Sequence, residues 1–107
     1  MRQIELSDLT DPQKVKDFCT KWKISEFALF GSVLREDFRP DSDIDVLVTF
    51  APDGEWSIFD LVEMEDELKI IFDRDVDLVL RPSIERSKNI YRRDHILNSA
   101  RTVYVAR

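Results

Sequence analysis

The amino-acid sequence predicts an α/β domain, a small sheet covered by helices. Two helical apolar periods, at residues 11–23 and 58–71, carry that prediction. So do three short apolar runs bounded by turn residues, at 27–30, 43–50 and 75–80. The 107 residues fit a single domain, 1–107, with little room for a second module.

The elements follow in order. Asp11 caps the first helix and Pro12 suits its first turn. Val15, Phe18, Cys19 and Trp22 recur at helical spacing and form one apolar face. Phe27 to Phe30 reads as a buried strand ended by Gly31, and Ser32 to Phe38 as a short helix. Arg39-Pro40-Asp41-Ser42 is turn chemistry. Asp43 to Phe50 is the strongest strand, with Ile44, Val46, Leu47, Val48 and Phe50. Ser57 and Asp60 form a capping box. The helix behind them is expected to bury Ile58, Leu61, Val62, Met64, Leu68 and Ile71. Asp75 to Leu80 is a strand stopped by Arg81-Pro82. A last helix is expected within residues 84–98, and a short strand at Thr102 to Val105. Periodicity leaves the direction of each strand pair open.

Bulk properties exclude several functions. The net charge of −6 repels a phosphate backbone, so general nucleic-acid binding is not expected. One cysteine, Cys19, excludes an internal disulfide and a cysteine metal cluster. No apolar run has spanning length and no signal leader opens the chain, so no membrane association and a cytoplasmic location are expected.

The chemistry is concentrated in "LFGSVLREDFRPDSDIDVLVTF". Side chains alternate along a strand, so Asp43 and Asp45 share a face while Ile44 points to the other. Two carboxylates held this close raise each other's proton affinity, a conflict that a divalent cation removes. Magnesium in particular takes one or two carboxylates and completes its shell with phosphate oxygens. A third carboxylate comes from the strand near residue 75. Asp73, Asp75 and Asp77 share parity, and Asp77, deepest in the strand, most needs a partner. Gly31 allows a sharp turn and close approach to a ligand. Ser32 then opens a helix whose free N–H groups suit an anion. Arg35, one turn on, either reaches a phosphate or stays a surface arginine, and Arg39 has the same choice. An anion-binding turn followed closely by a metal-binding pair suits a nucleoside triphosphate with magnesium.

These residues resemble a known family. Gly31-Ser32, ten intervening residues and Asp43-Ile44-Asp45 match the Gly-Ser-x10-Asp-x-Asp signature of nucleotidyltransferases related to DNA polymerase beta. The wider text, through "SIFDLVEMEDELKIIFDRDVDLVL", is similar to the minimal nucleotidyltransferases, or MNT proteins, from about Phe27 to Pro82. The resemblance implies the nucleotidyltransferase core, a mixed sheet with helices. It implies two Mg2+ ions on Asp43 and Asp45, Asp77 completing the catalytic one, and Gly31 and Ser32 holding the triphosphate of ATP. Arg35 matches the arginine of the family's Gly-Ser-x-x-Arg-Gly, in which Glu36 here replaces the glycine. It further implies an antitoxin that transfers AMP to a tyrosine of a HEPN-domain ribonuclease toxin. The alternatives are neutralisation by docking alone, or an RNA or small-molecule acceptor.

Other residues are assigned structural parts. His95, in the last helix, is expected to have a structural or surface part and no catalytic one, and Trp22 is expected in the core. Trp56 either covers the core or touches a partner. Tyr91 and Tyr104 are expected to pack. The basic run of Arg81, Arg86, Lys88, Arg92, Arg93, Arg101 and Arg107 reads as a solvated face, with contact to an acidic partner or the triphosphate as the alternative.

Overall fold

Helix α2 (Pro12–Lys21) begins as its sequence dictates: the Asp11 carboxylate accepts from the Gln13 N–H at 3.0 Å and Pro12 takes the first turn. The computed structural model describes residues 5–31 and 43–106. A single turn, α1 (Leu6–Leu9), precedes α2, and β1 (Ile24–Phe30) and β2 (Ile44–Phe50) follow. Then come α3 (Ile58–Phe72), β3 (Val76–Leu80), α4 (Arg81–Glu85), α5 (Ile90–Ser99) and β4 (Arg101–Val105). The expected helix at Ser32–Phe38 lies outside the described residues.

The four strands form one mixed sheet in the order β3-β2-β1-β4. β1 is antiparallel to β2 and β4, while β2 and β3, joined through α3, run parallel. Strand alternation splits the interior in two. Phe27, Leu29, Ile44, Val46, Val48 and Val76 pack with Val15, Phe18 and Cys19 of α2 and Met64, Leu68 and Phe72 of α3. Ala28, Phe30, Leu47 and Val79 pack with Ile84 of α4 and Ile96 and Leu97 of α5. Cys19 is fully buried, and desolvation pushes its thiol up to about 12, so it is a core residue without nucleophilic character.

The Ser57–Asp60 capping box forms as expected. Its reciprocal hydrogen bonds order the start of α3, and Ser57→Ala is expected to cost about 1 kcal/mol in a urea titration. The expected stripe of α3 needs correction. Met64, Leu68 and Phe72 are its buried line, whereas Ile58 is 72% exposed and Val62 57%. At about 100° per residue, Val62 lies nearly opposite Met64 on the helix. Both exposed residues sit where the helix start overhangs the edge strand.

The last helix, expected within 84–98, is α5 at Ile90–Ser99, and a further short helix, α4 at Arg81–Glu85, precedes it. Pro82, read as a stop, sits in the first turn of α4. Asn89 caps α5 by accepting from the Arg92 N–H at 3.1 Å. β1 is longer than its apolar run because Ser25 and Glu26 extend it through polar contacts. Ser25 Oγ donates to the Thr49 carbonyl at 3.1 Å, and Thr102 Oγ1 donates to Glu26 Oε1 at 2.9 Å.

Trp22 is buried, its indole N–H donating to Glu67 Oε2 at 2.7 Å, and Trp56 meets it edge-on with ring centroids 5.2 Å apart. Trp56 therefore covers the core. Tyr104 packs partly against the core, but Tyr91, expected to pack, is 85% exposed at the start of α5. His95 is exposed on α5, the surface alternative of its two expected parts. Among the described residues, no helix is long and apolar enough to cross a membrane.

Candidate active site

Asp43 stands immediately before β2 and Asp45 is its second residue. Ile44 between them is fully buried in the layer under α2 and α3, and its N–H donates to the Asp75 carbonyl at 2.9 Å. That anchor turns both carboxylates toward the opposite face. The parallel pairing sets which aspartate stands opposite Asp45. Ile44 stands opposite Val76 and Asp45 opposite Asp77, and the following same-face pair, Leu47 and Val79, is covered by α4 and α5. Asp43 and Asp77 are exposed and Asp45 is half-buried, so the three line the open end of that covered face.

The other two aspartates of matching parity are placed differently. Asp73 is the left-handed residue that closes α3, with φ 54° and ψ 43°. Asp75 lies exposed before β3, with its carbonyl in the bond from Ile44.

Gly31 follows β1, whose last residue, Phe30, is paired with Asp45. Its φ is +75°, a conformation that L side chains rarely adopt. A Cβ there would run into Asp45 Oδ2 and stand 3.1 Å from Asp45 Cγ. The glycine backbone therefore lies against this carboxylate. Gly31→Ala is expected to displace Asp45 and to lower stability by roughly 1–2 kcal/mol from the positive φ alone. Thermal unfolding alongside ATP titration checks both effects.

The donor set is oxygen only, which suits a hard cation such as Mg2+. Among the described residues, no three His, Cys, Asp or Glu side chains form a ready-made metal cage. Ser32, Arg35, Glu36 and Arg39 lie outside the described residues.

Two features were not legible in the sequence. Phe30, 7% exposed, forms the wall beside Asp45, which only the antiparallel register reveals. Arg101 was grouped with the basic tail, but β4 places it opposite Leu29, at the end of the sheet where Gly31 lies, with its guanidinium 2.9 Å from Glu5 Oε2.

Comparison with known proteins adds to this geometry. Residues 12–103 match the nucleotidyltransferase domain family. Over 70 residues the chain is 31% identical to the protein adenylyltransferase MntA of Thermococcus cleftensis, covering 65% of this chain and 69% of the relative. The fold matches that of a chain in a toxin–antitoxin crystal structure with AMP-PNP, with TM-score 0.65 and 21% identity, covering 91% of this chain and 75% of that one. It also matches a chain in the complex of a tri-AMPylated Shewanella oneidensis HEPN toxin with an MNT antitoxin. There the TM-score is 0.59 and the identity 20%, covering 89% of this chain and 70% of that one. At these identities the two structures show a common fold.

Proposed function

Because the chain belongs to the nucleotidyltransferase domain family, we propose that it transfers AMP from ATP to a tyrosine hydroxyl of a HEPN-domain toxin and acts as that toxin's antitoxin. The observation that carries this reading is the carboxylate register: Asp45 opposite Asp77, with Asp43 on the same face and the Gly31 backbone against Asp45. Support for a protein acceptor comes from the Thermococcus cleftensis relative, a protein adenylyltransferase. Support for its kind comes from the structural neighbour that holds an AMPylated HEPN toxin.

Asp43 and Asp45 would hold two Mg2+ ions, and Asp77 would complete the site of one. Bound there, Mg2+ would neutralise triphosphate charge and acidify the attacking hydroxyl. The protein's own part is positioning. By the family resemblance, Gly31 and Ser32 would hold the triphosphate and Arg35 would pair with it. Asp77 accepts the hydroxyl proton and returns it to solvent. The tyrosine oxygen forms a bond to the α-phosphorus, the bond from that phosphorus to the bridging oxygen breaks, and pyrophosphate leaves.

The test is a mass measurement. The purified chain, ATP, Mg2+ and the cognate HEPN-domain protein are incubated together. The expected result is a gain of one or more AMP units on the HEPN protein. Tight binding with no mass change, or AMP found on RNA or a small molecule instead, overturns the reading.

A further inference from the structure

Helix α3 carries an outward stripe that the sheet does not cover. Phe59, Glu63, Asp66 and Ile70 recur at i, i+4, i+7 and i+11, so they share one side of the helix over about 16 Å. Phe59 is 81% exposed and Ile70 80%. Ile58 and Val62 widen the apolar start of the stripe. Beside them a shallow groove runs to the edge strand, with Leu78 and Leu80 of β3 on its far side.

Charge sets the chemistry of whatever covers it. Most acids of α3 are engaged: Asp60 in the cap, Glu65 with Lys69 at 3.7 Å, and Glu67 with Lys21 and the Trp22 indole. Glu63 and Asp66, at the centre of the stripe, make no ion pair among the described residues. An apolar–acidic–apolar face on a chain of net charge −6 complements an apolar–basic–apolar one. Two copies of the same stripe facing each other would oppose like charges.

We propose that this face of α3 is the docking site for a basic amphipathic helix of the acceptor protein, which lays apolar side chains against Phe59 and Ile70 and cations against Glu63 and Asp66. The proposal rests on the reading that the acceptor is a protein. Its location suits delivery. Asp77 immediately precedes Leu78 on β3, so a protein gripping the α3–β3 edge holds the same strand whose opposite face carries the third carboxylate.

The test uses the full chain and the cognate HEPN-domain protein, with affinity measured calorimetrically without ATP and AMP transfer measured by mass. Phe59→Ser and Glu63→Lys/Asp66→Lys alter exposed side chains, and thermal unfolding verifies the fold. Each is expected to weaken affinity at least about tenfold, equivalent to about 1.4 kcal/mol. Transfer should then show a raised KM for the HEPN protein with kcat and ATP binding retained. The wild-type affinity should fall as salt rises. Unchanged affinity in both variants overturns the proposal. So does self-association of the chain that Phe59→Ser abolishes while HEPN affinity is unaffected. Stripe-dependent binding with no AMP transferred by the wild type would support the docking site while overturning the proposed activity.

Discussion

Asp45→Ala is expected to lower AMP transfer by at least about a thousandfold, or ~4 kcal/mol of transition-state stabilisation, without unfolding the protein. Asp45 is central to the site: Asp77 stands beside it across the strand pair, Asp43 shares its face, and the Gly31 backbone lies against it. Asp45 is half-buried at the open end of the face and outside both core clusters, so thermal unfolding should stay near the wild-type value. Asp43→Ala should behave in the same way. The third position is tested by a contrast, in which Asp77→Asn loses transfer and Asp75→Asn keeps most of it. Full transfer by either alanine variant would sink the assignment, and equal loss in both asparagine variants would remove the distinction between Asp77 and Asp75.

Phe27→Ala is expected to destabilise the fold by about 3–5 kcal/mol. The ring is completely buried in β1, edge-on to Phe18 with centroids 6.3 Å apart, between Val48 of β2 and Tyr104 of β4. No neighbour can collapse into that space without shifting both strands. A loss of this size is a large part of the roughly 5–15 kcal/mol typical of a domain and corresponds to a fall in Tm of roughly 12–40 °C. Phe27→Leu should retain most of the stability. An unfolding free energy for Phe27→Ala, from urea titration, within about 1 kcal/mol of wild type would show that the core repacks freely.

Local chemistry made parts of this molecule readable in advance. Asp11-Pro12 and Ser57–Asp60 start helices because a side-chain oxygen and a fixed φ act within one turn. Asp43 and Asp45 share a face because alternation needs no partner strand. Strand direction is different: whether β2 and β3 run parallel depends on where α3 packs, and no residue within either strand encodes that. The choice of Asp77 over Asp75 rested on depth in the strand, and the register that pairs it with Asp45 is a tertiary fact. Ile58 and Val62 were assigned to the core because hydrophobicity marks a side chain as apolar without saying whether a neighbour exists to cover it. Asn89 was not singled out because Arg86-Ser87-Lys88-Asn89 carries no apolar residue to phase a helix, and a cap is recognised only once the first turn that it serves is placed.

The sheet order has a consequence for how the protein is made. β1 is hydrogen-bonded on one side to β2, which follows it closely, and on the other to β4, near the far end of the chain. A ribosome therefore exposes Ile24–Phe30 with one open edge throughout synthesis of α3, β3, α4 and α5. That edge includes the continuous apolar run Phe27–Phe30, the kind of segment that pairs readily with foreign strands. Closure waits for Arg101–Val105, so the interval between translation of these two strands is when the nascent chain is most open to mispairing, and when a chaperone would have most to protect.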